Sequence, residues 1–329
     1  MATNKKKLLV TQSMAQAGMD LLKERDDVEA VRFQNAITSA DFEALLKREA
    51  PVHGVALGVT PFSNRELDAA REMQVVARIG VGYDAVDVPA LTARKIPLMV
   101  AGTANSPSVA EQAMFMTLAL AKRGAELHAA VQGGRWHERL ERVPFDLFGK
   151  TMLIVGFGRI GTRSAKRFGA MEMNVLVYDP YVDAAAIKAA GCEPVSDLDA
   201  ALPRADFVSI HCPKTPETVN MFNAARLARM KPTAYLVNTA RGGIIDEPAL
   251  YQALTSGKLA GAGLDVFELE PTPVDNALLK LPNVISAPHM AGVTREALTR
   301  MGLQTMRNIL SVFDGAPIRD NVINKEVLG

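Results

Sequence analysis

Cysteine, net charge and long hydrophobic runs are all scarce in this sequence. Cys192 and Cys212 are its two cysteines, which excludes a disulfide framework and a CxxC pair. Thirty-seven lysines and arginines nearly balance 36 aspartates and glutamates, and the net charge of +1 gives no electrostatic footprint for nucleic acid. No apolar run reaches the ~18 residues of a membrane span, and the run behind the basic N-terminus is too short for a signal peptide. We therefore expect a cytoplasmic protein that binds neither nucleic acid nor membranes.

The spacings typical of metal ligands are also missing. The five histidines form no HxH or HExxH motif, so we expect no protein metal site. Three of them, His53, His128 and His137, have no partner pattern, and we interpret them as structural or exposed.

Short apolar runs alternate with helical patterns almost throughout, which indicates α/β architecture with parallel sheets. The length of 329 residues suggests about two domains. In the first hundred residues strands are predicted at 8–11, 28–32, 52–57, 75–79 and 98–100, and helices near 14–23, 39–48 and 64–70. No strand–helix turn in this part carries a GxGxxG sequence, which favours a smaller α/β domain without a dinucleotide site.

A long apolar helix is predicted next, over 108–122, with Ser108 as its N-cap and Glu111 as the partner in a capping box. A helix is also predicted near the C-terminus, at 295–313. Between them six strands are predicted, at 151–155, 175–178, 207–211, 235–238, 261–266 and 284–287. Six strands are the number that a full Rossmann sheet requires.

The turn after the first of these six strands reads Gly156-Phe157-Gly158-Arg159-Ile160-Gly161. Gly156 allows a tight turn, Gly158 lets a pyrophosphate approach the main chain, and Gly161 lets the following helix pack close to the sheet. The first N–H groups of that helix have no partner within it, and its dipole places partial positive charge there. The stretch therefore predicts a dinucleotide-binding turn.

Asp179 ends the next predicted strand, 18 residues after Gly161. Its carboxylate is placed to accept hydrogen bonds from ribose hydroxyls, whereas a 2′-phosphate would meet a like charge. Pro180 and Tyr181 supply no arginine to offset that charge. The pattern favours NAD over NADP.

Polar residues stand at the ends of the later strands, where Rossmann folds bind their ligands. They are His211, Arg241, Asp265 and His289, with Glu270 five residues beyond Asp265. Oxidation of a hydroxy acid needs a base, a cation for the carboxylate and a carboxylate that orients the base. His289, Arg241 and Glu270 are the right types for these three roles.

Each of the three also has a structural interpretation. A histidine after a strand is often a satisfied structural group, Arg241 can cap or pair on the surface, and Glu270 can be solvated charge. Spacing alone leaves these alternatives open.

A set of motifs resembles the D-isomer-specific 2-hydroxyacid dehydrogenases, in particular the branch that contains D-3-phosphoglycerate dehydrogenase. The motifs run in the order and spacing of that family, from about residue 75 to residue 300. They are Gly82-Tyr83-Asp84-Ala85-Val86-Asp87, Asn105 with Val109-Ala110-Glu111, Gly149-Lys150-Thr151, Asn238-Thr239-Ala240-Arg241-Gly242-Gly243, Gly263-Leu264-Asp265-Val266-Phe267, Glu270-Pro271 and Pro288-His289.

The resemblance implies an α/β protein with two Rossmann-like, doubly wound parallel-sheet domains and a cleft between them. Residues 1–100 and 297–329 would form a discontinuous substrate domain, and residues 101–296 an NAD-binding domain that also makes the main homodimer contact. The implied activity is the NAD-dependent interconversion of a small D-2-hydroxy acid and its 2-keto acid.

The resemblance also implies roles for individual residues. His289 would exchange the proton and be held by Glu270, Arg241 would bind the substrate, and main-chain N–H groups near Val81 and Gly82 would help to hold its carboxylate. The residues implied at the cofactor are Gly156, Gly158, Arg159, Ile160, Gly161, Asp179, His211, Pro213, Thr239, Ala240, Arg241, Asp265 and His289.

The loop Ala56-Leu57-Gly58-Val59-Thr60 departs from phosphoglycerate dehydrogenases, which place an arginine near it. This departure weakens the case for a phosphorylated substrate, although Arg78 remains a candidate for a phosphate contact. The substrate therefore stays open among glycerate, hydroxypyruvate, glyoxylate, phosphoglycerate and larger hydroxy acids. Two other functions also remain: an NAD-sensing binding protein such as the family's corepressors, and a lyase or isomerase that uses NAD transiently.

Overall fold

The protein is described by a computed structural model that covers residues 5–141 and 143–329. The chain forms two compact units. Unit 1 contains the described residues up to Asn105 together with Val293–Gly329, and unit 2 contains Ser106–Gly292. The units divide after Asn105 and after Gly292, whereas the resemblance implied divisions after residues 100 and 296. The assignment of substrate to one unit and cofactor to the other stays a prediction.

Twelve strands lie in the described residues. In chain order they are β1 (Lys6–Thr11), β2 (Val28–Phe33), β3 (Gly54–Leu57), β4 (Val75–Arg78), β5 (Leu98–Met99), β6 (Thr151–Val155), β7 (Asn174–Tyr178), β8 (Glu193–Val195), β9 (Phe207–Ile210), β10 (Tyr235–Asn238), β11 (Gly261–Leu264) and β12 (Val284–Ser286).

Twelve α-helices accompany the strands. They are α1 (Gln16–Asp20), α2 (Ser39–Glu49), α3 (Asn64–Ala70), α4 (Val88–Ala93), α5 (Ser106–Ala121), α6 (Gly124–Gln132), α7 (Gly161–Ala170), α8 (Ala184–Ala189), α9 (Leu198–Ala201), α10 (Ala224–Leu227), α11 (Glu247–Thr255) and α12 (Arg295–Phe313). No helix within the described ranges combines the length and the apolar character needed to cross a bilayer.

Unit 1 is built on a five-stranded parallel sheet with the order β2-β1-β3-β4-β5. Both faces of its central strands are buried, as expected for a parallel sheet covered by helices. Phe42, Leu46 and Leu91 pack on one face. On the other face α12 contributes Met306 and Ile309, which explains how the C-terminal segment joins this unit.

Unit 2 is built on a seven-stranded parallel sheet with the order β12-β11-β10-β9-β6-β7-β8. Its first six strands in chain order, β6 to β11, have the Rossmann strand order, with three strands on each side of the switch point, and β12 extends the sheet at one edge. The α/β fold class with two parallel sheets is thereby confirmed.

The prediction of six strands in unit 2 was wrong, because β8 was missed. This strand has only three residues, lies at an exposed edge and contains Pro194. Proline cannot donate to a sheet ladder and is tolerated at edges, so the segment gives no strand signal in the sequence.

The N-cap predicted at Ser108 was also wrong. Helix α5 begins at Ser106, so Ser108 is its third residue. Pro107 fits at the second position because the N–H groups of the first turn have no partner within a helix. The Glu111 carboxylate accepts a hydrogen bond of 2.9 Å from the Arg167 guanidinium and takes no part in a capping box.

Candidate functional site

The site residues of unit 2 follow the carboxyl ends of the strands, which lie along one side of the sheet. The register places Tyr178, Val155, Ile210, Asn238, Leu264 and Ser286 side by side at the carboxyl ends of β7, β6, β9, β10, β11 and β12. Asp179, Gly156, His211, Thr239 and Asp265 each follow one of these residues directly. The crossover between β6 and β9 is the topological switch point, where open α/β sheets bind ligands.

The glycine turn after β6 packs tightly on its neighbours. Gly156 has a φ of +95°, and a Cβ there would lie 2.6 Å from the main-chain nitrogen of Cys212. A Cβ on Gly161 would overlap the carbonyl oxygen of Gly156. Two of the three glycines are therefore required by close packing of the chain itself.

Gly158 differs from the other two glycines, because a Cβ there would meet no atom within 4 Å. The open space lies at the start of α7, whose N-cap residue Ile160 makes no side-chain capping bond. A helix N-terminus beside a side-chain-free position fits a pyrophosphate. Arg159 lies between Gly158 and the N-cap residue Ile160, and its carbonyl oxygen accepts a 2.8 Å hydrogen bond from Arg163 Nη1.

Asp179 follows β7 as predicted. One carboxylate oxygen accepts a hydrogen bond from the Phe157 N–H at 2.7 Å, and the other accepts from the Tyr181 N–H at 2.9 Å. The side chain therefore ties the glycine turn to the end of β7. Because each carboxylate oxygen has two lone pairs, it retains capacity for the hydroxyls of a ribose.

His211 follows β9 and lies beside the glycine turn. Its Nε2 is 2.9 Å from Ser209 Oγ, and its Nδ1 is buried without a hydrogen-bond partner among the described residues. Burial lowers the pKa of His211 to about 3, so the ring is neutral. Burial likewise raises the pKa of the Cys212 thiol to about 11. Pro213 is exposed, and its carbonyl accepts a 2.7 Å bond from Thr218 Oγ1.

The loop after β10 is shaped by the buried side chain of Asn238. Its Oδ1 accepts from the Ala240 N–H at 3.0 Å, and its Nδ2 donates to the Arg241 carbonyl at 2.9 Å. Arg241 is half-buried, and its Nη1 donates to the Ala240 carbonyl at 2.7 Å. Thr239 Oγ1 is buried with no hydrogen-bond partner in the described part of the chain. Together with His211 Nδ1 it is a polar atom that a bound cofactor would satisfy.

Asp265 has no exposed surface. Its Oδ1 accepts from the Met290 N–H and its Oδ2 from the Ala291 N–H, both at 2.8 Å, and its carbonyl oxygen accepts from the His289 N–H at 2.7 Å. In the structure this residue fixes the segment that carries His289. The cofactor contact implied for Asp265 stays a prediction.

His289 and Glu270 form a hydrogen-bonded pair. His289 Nδ1 lies 2.7 Å from Glu270 Oε2, and Glu270 Oε1 accepts from the Phe267 N–H at 3.0 Å. The side chains are 47% and 36% exposed, so the pair is accessible. His289 has a φ of +55°, a left-handed conformation that is uncommon for residues other than glycine. With Nδ1 engaged by the carboxylate, Nε2 is the ring atom left to exchange a proton.

The substrate residues expected in unit 1 lie in the loop after β4. Arg78 Nε donates to the carbonyl oxygen of Gly82 at 2.9 Å, and Gly80 has a φ of +136°. Arg78 therefore shapes the loop that contains Val81 and Gly82. Thr60, in the loop after β3, is buried, and its Oγ1 has no hydrogen-bond partner in the described ranges.

Sequence reasoning missed the residues that hold this site together. Asn238 was quoted only as part of a motif, and the two amide contacts of Asp265 had no signal in the spacing. Gly242 was likewise unassigned, although a Cβ there would overlap the carbonyl oxygen of Phe267. Within the described ranges, no three His, Cys, Asp or Glu side chains converge as metal ligands would.

Several known proteins are similar to this chain in the segments described above. The profile of the D-isomer specific 2-hydroxyacid dehydrogenase, NAD binding domain, matches residues 114–291. The D-3-phosphoglycerate dehydrogenase of Archaeoglobus fulgidus is 37% identical over 96% of this chain and 59% of its own. The glyoxylate reductase of Korarchaeum cryptofilum is 39% identical over 83% of each. The D-lactate dehydrogenase of Aquifex aeolicus, solved with NAD and lactic acid, superimposes with a TM-score of 0.83 at 30% identity, over 98% of this chain and 99% of its own.

This chain thus spans about three-fifths of the length of the phosphoglycerate dehydrogenase that it matches. The profile covers more than half of the 329 residues, and it includes the glycine turn, Asp179, Arg241, Glu270 and His289. The chain belongs to the D-isomer specific 2-hydroxyacid dehydrogenase family.

Proposed function

We propose that this protein is an NAD-dependent oxidoreductase that interconverts a small D-2-hydroxy acid and its 2-keto acid. The observation that carries the proposal is the 2.7 Å pair of His289 and Glu270, at the same sheet edge as the glycine turn. Such an acid–base pair can take the proton from the hydroxyl oxygen of an alcohol, while a dinucleotide cofactor takes the hydride from the alcohol carbon. The alcohol carbon loses a hydride, the hydroxyl loses a proton, and a 2-keto acid remains.

The cofactor that fits unit 2 is NAD. Gly158 and the start of α7 would hold the pyrophosphate, Asp179 the adenosine ribose, and Thr239 with His211 would offer their unpartnered polar atoms. Bound NAD supplies the hydride acceptor. The roles of Arg159, Ile160, Pro213, Ala240 and Asp265 at the cofactor are part of the same proposal.

His289 takes the hydroxyl proton on its Nε2 during oxidation and returns it during reduction. The ring gains a positive charge in the first case, and the Glu270 carboxylate at Nδ1 stabilises that charge while fixing the orientation of the ring. Glu270 is itself held by the Phe267 N–H, so the pair is oriented before substrate binds.

Arg241 is proposed to bind the substrate carboxylate, because a guanidinium offers two parallel donors to a carboxylate. Val81 and Gly82 are proposed to contribute main-chain N–H groups to the same substrate. The candidates for that substrate are phosphoglycerate, glycerate and hydroxypyruvate. No arginine occurs in residues 56–60, which supports a substrate without phosphate.

Replacing His289 by alanine tests the acid–base role. We expect the wild type to reduce a member of a 2-keto acid panel with NADH, and His289→Ala to lower kcat by about 10²–10⁴-fold because proton transfer is lost. The variant still binds NADH, as measured by fluorescence titration. Undiminished kcat would reject the assignment of His289, and a wild type inactive on the whole panel would reject the proposed activity.

A matched pair of glycines tests the dinucleotide site. In Gly158→Ala the new methyl group projects into open space, so thermal stability stays unchanged while NADH affinity falls. In Gly161→Ala the methyl group meets the Gly156 carbonyl, and we expect about 1–3 kcal/mol of destabilisation. Calorimetry of both variants with and without NADH measures the two effects. Wild-type NADH affinity in Gly158→Ala would mean that the pyrophosphate lies elsewhere.

Cofactor choice is tested at Asp179. Asn at this position keeps an acceptor oxygen for one of the two N–H groups but removes the charge. We expect kcat/KM with NADPH, divided by kcat/KM with NADH, to rise about tenfold, because the repulsion between the carboxylate and a 2′-phosphate is relieved. A tenfold rise corresponds to about 1.4 kcal/mol. An unchanged ratio in steady-state kinetics shows that another residue selects the cofactor.

We also propose a homodimer that forms through unit 2. Large apolar side chains concentrated in residues 115–148 are exposed: Phe115, Val131, Trp136, Leu140, Val143 and Phe148. Phe115 lies on α5 and Val131 on α6, two helices that contact each other, and the other four residues follow α6 in the chain. Exposed apolar side chains concentrated in this way mark association surfaces, and a second copy is the commonest partner.

Light scattering measures this association. We expect twice the chain mass for the wild type and a shift to the monomer for Trp136→Glu, because a charge would be buried in the interface. Val219→Glu, at an exposed apolar position elsewhere in unit 2, is the control and keeps the dimer. A monomeric wild type would refute the proposal.

A further inference from the structure

The segment that carries Glu270 has little apolar anchorage of its own. The 267–276 loop runs from Phe267, which is buried, to Asn276 just before the buried Leu278. Between these ends Leu269 is 63% exposed and Val274 is 91% exposed. Between its two ends the loop has no buried apolar side chain, so its position there depends on polar contacts at the ends.

One carboxylate provides such contacts at both ends of the 267–276 loop. Glu247 Oε1 accepts from the Glu268 N–H at 2.5 Å, and Glu247 Oε2 accepts from Asn276 Nδ2 at 3.1 Å. The Oδ1 atom of Asn276 accepts from the Leu278 N–H at 3.0 Å, so the far end of the loop is tied onward to a buried residue. Charge-assisted hydrogen bonds of this kind are about twice as strong as neutral ones.

Glu247 itself stands on a rigid element. It is the first residue of α11, which Asp246 caps by accepting a 2.9 Å bond from the Ala249 N–H. Leu250 and Leu254 anchor the helix in the core of unit 2. The side chain is half-buried, and it therefore transmits the position of α11 to the 267–276 loop.

We propose that Glu247 is a positioning residue for the Glu270–His289 pair. The Glu268 N–H donates to Glu247, and the N–H of the preceding residue, Phe267, donates to Glu270 Oε1. Glu247 therefore holds the main chain between Phe267 and Glu270, next to the contact that orients Glu270. Without Glu247 the loop loses both polar ties, and Glu270 no longer stays at 2.7 Å from His289 Nδ1. The catalytic consequence rests on the proposed function, whereas the positioning of His289 does not.

The state of the His289 ring tests the positioning without any turnover. A carboxylate at Nδ1 favours the neutral tautomer that carries its hydrogen on Nδ1. Nitrogen-15 NMR of histidine-labelled protein, at a pH where the ring is neutral, reports that tautomer directly. We expect Glu247→Ala to shift His289 towards the Nε2–H form, in the same direction as Glu270→Ala. A wild-type His289 spectrum in Glu247→Ala overturns the proposal.

Steady-state kinetics provide a second test of the positioning role of Glu247. We expect Glu247→Ala to lower kcat about tenfold with unchanged NADH affinity, the cost of a small misplacement at the reacting centre. In a Glu270→Ala background the same substitution has no further effect, because the carboxylate that it positions is absent. Equal losses from Glu247→Ala in both backgrounds would overturn the proposal. If the wild type is inactive on every keto acid, the proposed function is rejected, and the NMR measurement alone then tests the positioning role of Glu247.

Glu268→Ala is the matched control. It removes a negative charge from the 267–276 loop itself, but the side chain of Glu268 makes no hydrogen bond or ion pair in the described chain, and the Glu268 N–H that donates to Glu247 is retained. We expect wild-type spectra and kinetics. An effect equal to that of Glu247→Ala would show that charge, and not the two contacts, is responsible, and would overturn the proposal.

Asn276→Asp replaces Glu247→Ala if that variant does not fold. It keeps an oxygen for the Leu278 N–H but sets a carboxylate against Glu247 in place of the Nδ2 donor. The same shift of the His289 tautomer is expected, and its absence counts against the proposal.

Discussion

The buried carboxylate of Asp265 is the constraint on which the arrangement of His289 depends. A charged group without solvent contact is tolerated only when its oxygens are hydrogen-bonded, and the N–H groups of Met290 and Ala291 meet that need. The chain must turn sharply after β12 to present those two groups. His289 at the turn takes the left-handed conformation, and its own N–H binds the Asp265 carbonyl. The position of the imidazole is thus set by the main chain before its side chain meets Glu270.

The sheet of unit 2 supplies the rest of the geometry. Its strands end in register, so the loops that follow β6, β7, β9, β10, β11 and β12 start from one line. Close contacts then lock neighbouring loops together: Gly156 against the chain at Cys212, and Gly242 against the carbonyl of Phe267. A rigid edge of this kind positions a few polar side chains without a large polar network.

Much of this fold follows from local signals in the sequence. The alternation of apolar runs and helices predicted two parallel sheets, and the glycine turn with Asp179 was placed correctly because its spacing reflects a single βαβ unit. The resemblance implied that Glu270 holds His289, and in the structure His289 Nδ1 lies 2.7 Å from Glu270 Oε2. Strand β8 was missed because three residues with a proline carry no periodicity, and Ser108 was misplaced because Pro107 is accepted inside the first helical turn. The contacts of Asn238, Asp265 and Glu247 join residues to main-chain N–H and carbonyl groups, and main-chain groups have no sequence signature.

The same proline that hid β8 has a protective effect on the sheet. The outer strand of an open sheet offers unpaired N–H and carbonyl groups to any extended chain that approaches it. Pro194 removes the central donor from a strand of only three residues, so this border of the seven-stranded sheet is a poor template for adding another strand. Unit 2 is thereby shielded at that side from the intermolecular strand pairing that leads to aggregation.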